Sequence, residues 1–273
     1  MAYKRILTIQ DISCVGQCSM TVALPILSVC GHETCILPTA LLSTHTGGFG
    51  KPAVIQLGSA LEDIRRHWKE NNIAFDAILV GYLGSVAAVE TAGSILDEML
   101  APGGICIVDP AMADHGKLYS GLDDQYARAM GNLCRKADVI LPNITEAAML
   151  SGLSYQETLD SGYIARLLKG LEHPCVVLTG VGYAPGETGV MLWDRGQQYH
   201  YRHPHTGKSY HGTGDMFAAS FVGALMQEKS KQDAVRIAAE FTRLCIENTA
   251  RNPAHWYGVK FETALPELIR MLA

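Results

Sequence analysis

Short apolar runs alternate with amphipathic stretches along most of this chain, and that alternation constrains its fold more than any other feature. Strand-like runs occupy Arg5–Gln10, Glu33–Pro38, Asp76–Gly81, Gly104–Asp109, Asp138–Leu141 and Cys175–Thr179. Helix-like stretches lie between them at Gln17–Val29, Ser59–Asn71, Val86–Leu100, Leu122–Arg135 and Gln156–Leu171. A strand, a crossover helix and a second strand bring the chain back in the same direction, so the pattern predicts an α/β fold. Its central sheet is expected to be mainly parallel, with helices on both faces. A hairpin-like pair, Gly189–Trp193 and Gln198–Arg202, then breaks the alternation with Asp194-Arg195-Gly196 as its turn, and three helices are expected to finish the chain. Hydrophobic residues make up 48% of the 273 residues and charged residues 18%, enough apolar material for a continuous core. No Pro/Gly/Ser-rich linker or charge block divides the sequence, which predicts one domain over residues 1–273.

Charge and cysteine usage remove several functional classes. A net charge of −5 without a Lys/Arg cluster gives no electrostatic footprint for nucleic acid or an anionic membrane, so neither partner is expected. The start Met1-Ala2-Tyr3-Lys4-Arg5-Ile6-Leu7 has too short an apolar run for a signal peptide or a membrane span, and the expected location is the cytoplasm. The eight cysteines are scattered and form no C-x-x-C pair. Most are expected to act as small buried hydrophobes, Cys106 and Cys175 in strand-like runs among them, whereas Cys14 and Cys18 fall in a loop near a candidate site.

In open α/β sheets ligands bind beyond the carboxyl ends of the strands, and here those ends are polar: Gln10-Asp11, Gly81-Tyr82, Asp109-Pro110, Pro142-Asn143 and Thr179-Gly180. The stretch His211-Gly212-Thr213-Gly214-Asp215 runs directly into the apolar segment Met216–Met226. Two glycines let backbone N–H groups converge at a helix start, where the helix dipole adds to them, so the turn can hold a phosphate-like anion. An aspartate beside such a cradle makes chemical sense if it takes a proton from an incoming hydroxyl while the cradle holds a phosphoryl group in transfer. The alternative is that Thr213 or Asp215 caps a buried helix. Familiar nucleotide motifs are absent. Thr206-Gly207-Lys208-Ser209 has the second half of a P-loop, but Arg202 stands where its first glycine belongs. Gly50-Lys51 fails in the same way, and no G-x-G-x-x-G follows the first strand.

These residues resemble the ribokinase superfamily, and within it the pyridoxal kinases. The likeness rests on Ile9-Gln10, Ser43-Thr44-His45-Thr46-Gly47, Gly81-Tyr82, Asp109-Pro110, Pro142-Asn143 with Glu146, and Gly212-Thr213-Gly214-Asp215, in that order along nearly the whole chain. It implies a ribokinase-like three-layer α/β/α sandwich, ATP as phosphoryl donor with Mg²⁺, a vitamin B6 vitamer as acceptor, and a homodimer. By the resemblance, Asp215 is the base that activates the 5′-hydroxyl, and the amides of Gly212, Thr213 and Gly214 stabilise the moving phosphoryl group. Asp109 and Glu146 are expected around Mg²⁺-ATP; their alternative readings are a strand-end turn and a capping-box glutamate. Asp114 belongs to the expected nucleotide region, in a loop that either closes over ATP or is simply solvated, while Asn143 and Thr179 are expected at the phosphates. Tyr82 is expected on the pyridine ring, with His45 and Thr46 offering hydrogen bonds to its substituents.

The chain also departs from the family pattern. Asp11 stands where many pyridoxal kinases carry serine, placing a carboxylate beside the expected ring position, where it would suit a protonated pyridine nitrogen or the aminomethyl of pyridoxamine better than the aldehyde of pyridoxal; a preference for pyridoxamine is the expectation. Leu141 replaces a threonine found in some relatives near the nucleotide, and Phe49 an aromatic hydroxyl in the substrate loop. A hydroxymethylpyrimidine kinase of the same superfamily is the closest competing reading, since its substrate is another hydroxymethylated heteroaromatic ring. A sugar kinase fits the His45, Phe49 and Tyr82 surroundings less well. A non-catalytic B6-binding or sensor protein would not need Asp215 beside the cradle.

Overall fold

The computed structural model describes residues 3–208, 210–252 and 254–273. Ser209, the last residue of the partial P-loop, lies outside them, as do Met1 and Ala2 of the amino-terminal stretch. The predicted alternation is present as β1 (Arg5–Ser13), α1 (Met20–Val29), β2 (Glu33–Leu42), β3 (Val54–Gln56), α2 (Gly58–Glu70), β4 (Phe75–Val80), α3 (Val86–Met99) and β5 (Leu100–Val108). It continues through a small hairpin, β6 (Ala113–Asp114) and β7 (Lys117–Leu118), then α4 (Asp124–Cys134), β8 (Val139–Ile140), α5 (Ile144–Ser151), α6 (Ser161–Gly170) and β9 (Cys175–Thr179). The predicted hairpin follows as β10 (Glu187–Asp194) and β11 (Gln197–Pro204), and the chain ends in α7 (Thr213–Met226), α8 (Lys231–Ala250) and α9 (Leu265–Leu272).

Nine strands form one sheet in the order β11-β10-β9-β8-β5-β4-β1-β2-β3. The six from β9 to β2 pair in parallel, while β10, β11 and β3 extend the edges antiparallel. Both faces of the parallel strands are apolar because successive side chains point to opposite sides. In β4, Ile78 and Val80 enter one core while Ala77 and Leu79 enter the other. The first core is closed by α2 to α6 through Leu61, Ile95, Met130, Ala147 and Leu167, the second by α1, α7, α8 and α9 through Ile26, Phe221, Phe241 and Leu268. This is the three-layer α/β/α arrangement.

Three elements escaped the sequence reading. Strand β3 has three residues, all exposed, and so no apolar alternation to show. The β6–β7 hairpin has two residues per strand. Helix α5 spans eight residues, too short for a clear period; what stops it is Gly152 in the left-handed region at φ 70°.

The sheet order reverses at β1, which lies between β2 on one side and β4 on the other. The crevice opened by such a reversal is where open α/β sheets take ligands. At its mouth the Asp11 N–H donates to the Tyr82 carbonyl at 3.2 Å, so the ends of β1 and β4 carry Asp11 and Tyr82 side by side.

Candidate active site

Beyond the carboxyl ends of the strands lies a cavity of about 560 Å³. Its wall contains Asp11, His45, Thr46, Tyr82, Asp109, Asp114, Asn143, Glu146, Thr179, Gly212, Thr213, Gly214 and Asp215, so tertiary structure gathers every sequence-predicted site residue around one space.

The start of α7 forms the floor. Gly212 occupies its N-cap position at φ 82°, a left-handed conformation that costs glycine little, and a Cβ there would lie 2.1 Å from the Gln17 carbonyl oxygen. No side chain caps this helix. Thr213 Oγ1 donates instead to the Tyr210 carbonyl at 3.2 Å, and Asp215 turns to the loop before α1. Neither residue is therefore a cap, and the first N–H groups of α7 remain available to an anion. The Ser19 backbone N–H donates to Asp215 Oδ2 at 2.8 Å and the Cys18 thiol sits 3.3 Å from the same oxygen. Both contacts hold Oδ2, leaving Oδ1 as the oxygen a ligand can use. Burial raises the Asp215 carboxyl above the usual aspartate range, and the Ser19, Cys18 and Asp215 donors offset part of that rise.

A second group of acids lies close by, with Asp109 Oδ2 3.9 Å from where a Cβ on Gly214 would stand. Asp109 is buried, and burial together with the Glu146 and Asp215 charges lifts its carboxyl well above the ordinary range. Glu146 is 2% exposed and is pushed up to about 8, mainly by burial. Its Oε2 accepts from the Asn143 N–H at 2.8 Å and its Oε1 from the Met112 N–H at 3.1 Å. The capping box expected as an alternative reading of Glu146 is thus present, and the same side chain lines the cavity. Asn143 completes the box by accepting from the Glu146 N–H at 2.9 Å and donates through Nδ2 to the Ala113 carbonyl at 2.8 Å. One N–H of that amide stays free. Thr179 Oγ1 makes only a long 3.5 Å contact with the Pro142 carbonyl. Asp114 stands exposed in the β6–β7 hairpin, its Oδ1 accepting from the His115 N–H at 2.8 Å. The loop expected around it is therefore a tight two-stranded turn.

At the substrate end, burial and the neighbouring Asp11 charge raise the Tyr82 hydroxyl. His45 departs from expectation. Its Nε2 donates to the Tyr257 carbonyl at 2.9 Å and its Nδ1 accepts from the Gly47 N–H at 3.0 Å, so neither nitrogen is left for a ligand. The ring packs against Phe49 and His211 and so shapes the wall instead of donating into it. Sequence reading missed His203, Lys208, His211, Thr242 and Arg243, which also line the cavity. Lys208 belongs to the stretch discounted as a broken P-loop; a lysine four residues before the Gly212 turn is the signal that was available. Thr242 and Arg243 arrive on α8 and carried none. Arg243 is held by Glu240 at 2.9 Å and by Glu247.

The acids around this cavity set a pH dependence. Asp11, Asp109, Glu146 and Asp215 all hold protons in the fold more tightly than in the unfolded chain. Folding therefore takes up protons between the ordinary carboxylate range and the raised values of about 6 for Asp11 and about 8 for Glu146. Stability of the ligand-free protein is expected to fall as pH rises from 5 to about 8, by roughly 1 kcal/mol or more. Thermal unfolding across that window checks the sign, and a rising Tm would contradict it.

Comparisons with known proteins agree with this geometry. The sequence profile described as phosphomethylpyrimidine kinase matches residues 33–259. The crystal structure of pyridoxal kinase from Lactobacillus plantarum is 33% identical, with a TM-score of 0.90, covering 99% of this chain and 98% of that one. A Bacteroides thetaiotaomicron protein, in a crystal form with pyridoxal, is 30% identical with a TM-score of 0.90, covering 98% of this chain and 96% of its own. The hydroxymethylpyrimidine/phosphomethylpyrimidine kinase of Bacillus subtilis is 28% identical over 199 residues, which span 71% of this chain and 68% of the relative.

Proposed function

The chain belongs to the phosphomethylpyrimidine kinase family, as a relative of its pyridoxal kinases, and on that premise we propose that it transfers the γ-phosphoryl group of ATP to the 5′-hydroxymethyl group of a vitamin B6 vitamer. The product is the 5′-phosphate, a salvage step toward pyridoxal phosphate. The observation that carries this reading is Asp215 with a free Oδ1 beside the uncapped amino end of α7, in the cavity that also holds Tyr82. A similar protein crystallised with pyridoxal supports the choice of ring.

In this reading Asp215 takes the proton of the substrate hydroxyl as the new P–O bond forms and the bond to the leaving ADP breaks. The amides of Gly212, Thr213 and Gly214 meet the charge on the moving phosphoryl group with dipoles already in place. Tyr82, Thr46 and the face of His45 position the ring. Asn143 and Thr179 hold phosphate oxygens, and Asp114 lies on the nucleotide side. Mg²⁺ fits the acids at this end. No cation acts on Asp109, and two further carboxylates raise its proton affinity, so a cation would relieve all three. Among the described residues no group of three or more His, Cys, Asp or Glu could hold a metal alone. One or two carboxylates completed by phosphate oxygens and water suit an ion that gives up its hydration reluctantly. Asp109 and Glu146 would hold it, and bound there it supplies neutralisation of polyphosphate charge.

We also assign one kinase domain over residues 1–273, acting as a cytoplasmic homodimer. Among the described residues all cysteines are free thiols, which suits a reducing compartment, and no helix is long and apolar enough to cross a membrane. Exposed Ile36, Leu41, Val54 and Ile55 on β2 and β3 offer apolar surface for a second copy. The family profile and the Bacillus subtilis relative favour hydroxymethylpyrimidine as the second reading. Offering pyridoxal, pyridoxamine, pyridoxine, hydroxymethylpyrimidine and ribose separately with Mg²⁺-ATP decides between them. At least one B6 vitamer is expected to exceed the pyrimidine about tenfold in kcat/KM, a margin within the reach of pocket contacts. Turnover of the pyrimidine alone moves the substrate, and no turnover at all leaves a binding protein.

A further inference from the structure

On the substrate side of the cavity, the surroundings of Asp11 ask for a ligand group that the protein does not supply. It is 4% exposed, and its Oδ1 is buried with no hydrogen-bond partner. Its Oδ2 receives the Ser13 hydroxyl at 3.3 Å, and the neutral Ser19 hydroxyl is the other side-chain donor acting on the carboxyl. No cation stands among the groups acting on it; the charge that does act on it is the like charge of Asp215. A buried carboxylate left in this state is costly, and a donor carried by the ligand would offset the cost.

The position of Asp11 narrows the part of a ligand from which that donor can come. Ser19 binds both acids, its backbone N–H reaching Asp215 and its side chain acting on Asp11. A ring whose hydroxymethyl group reaches Asp215 brings Asp11 near the groups on either side of it, the variable substituent or the pyridine nitrogen, and only the first of these differs among the vitamers. The Asp11 N–H bond to the Tyr82 carbonyl holds this acid at the same edge of the ring site. In the B6 vitamers that variable substituent is an aldehyde, a hydroxymethyl or an aminomethyl group. Only the aminomethyl brings a cation with N–H donors. The aldehyde carries an acceptor alone and would face Oδ1 oxygen to oxygen, and the alcohol carries a single neutral donor.

We infer that Asp11 is a specificity-determining residue that selects, among B6 vitamers, the one with a cationic amine next to the reacting hydroxymethyl group, namely pyridoxamine. This inference rests on the kinase reading above and goes further by fixing the substrate's charge. The test measures kcat/KM for pyridoxamine and pyridoxine in wild type, Asp11→Asn and Asp11→Ser. It adds dissociation constants for the two unphosphorylated vitamers by calorimetry. Asn keeps the shape of Asp11 and removes its charge. The pyridoxamine-to-pyridoxine ratio is expected to fall about tenfold or more in both variants, in kcat/KM and in affinity, as loss of a charge-assisted hydrogen bond requires. A ratio that moves less than about threefold in variants that still turn over pyridoxine overturns the inference and leaves the kinase reading intact. A variant too unstable to assay leaves the wild-type preference to decide, since wild type favouring pyridoxine or pyridoxal also overturns it. Wild type acting on no B6 vitamer removes the kinase reading and the inference together.

Discussion

Asp215→Asn is expected to lower kcat by about a thousandfold while changing the affinity for the B6 substrate little, in line with the range measured for loss of a positioned general base. The asparagine oxygen can still accept from the Ser19 N–H, which now reaches Asp215 Oδ2 at 2.8 Å, so the loop before α1 keeps its attachment to the start of α7. The variant loses only the capacity to take a proton. Nucleotide affinity is expected to hold or improve, because a negative charge beside the phosphate cradle has been removed. A split with kcat falling and binding retained identifies a group needed in the transition state. Loss of less than about tenfold in kcat would rule out Asp215 as the base.

Gly212→Ala is the second large effect. The position combines a left-handed backbone at φ 82° with a carbonyl oxygen of Gln17 that would lie 2.1 Å from the new methyl group. The left-handed conformation alone costs an alanine about 1 to 2 kcal/mol. The overlap adds to it, because the obstructing atom is backbone and cannot swing aside as a flexible side chain would. Either the turn or the Gln17 loop must move, and the amides at the start of α7 move with the turn. Turnover is expected to fall about a hundredfold or more, comparable to removing a donor from an oxyanion site, and Tm by about 5 °C. Gly152→Ala serves as the comparison: Gly152 has a similar φ of 70°, with nothing within 4 Å of the added Cβ. It isolates the backbone cost, and equal losses in the two variants would refute the steric account.

Much of the architecture was legible because it is written in neighbouring residues. Ala77 to Val80 and Cys175 to Leu178 are continuous apolar runs and Ile6 to Ile9 is broken only by the buried Thr8, as suits strands buried on both faces, and the stretches between them carry one apolar side. Gly212 to Asp215 was legible for the same reason, since a glycine turn entering an apolar helix is a local pattern. Helix α5 was hidden by its length, although its capping box, Asn143 with Glu146, stood in plain sequence.

The order of apolar and amphipathic segments determined the layered α/β fold, and the residues at strand ends and before α7 determined which side chains could reach its rim. Only tertiary structure decided what those side chains are free to do. His45 is spent on the carbonyl of Tyr257, 212 residues away, whereas Asp215 is held through Oδ2 alone. Thr242 and Arg243 enter the wall from a helix with no readable motif, and Asp11 becomes a buried acid without a cation because Ser13, Ser19 and Asp215 close around it. The physical reason is range: periodicity and turn chemistry act between adjacent residues, while burial, proton affinity and hydrogen-bond commitment are set by whatever the whole fold packs around a group.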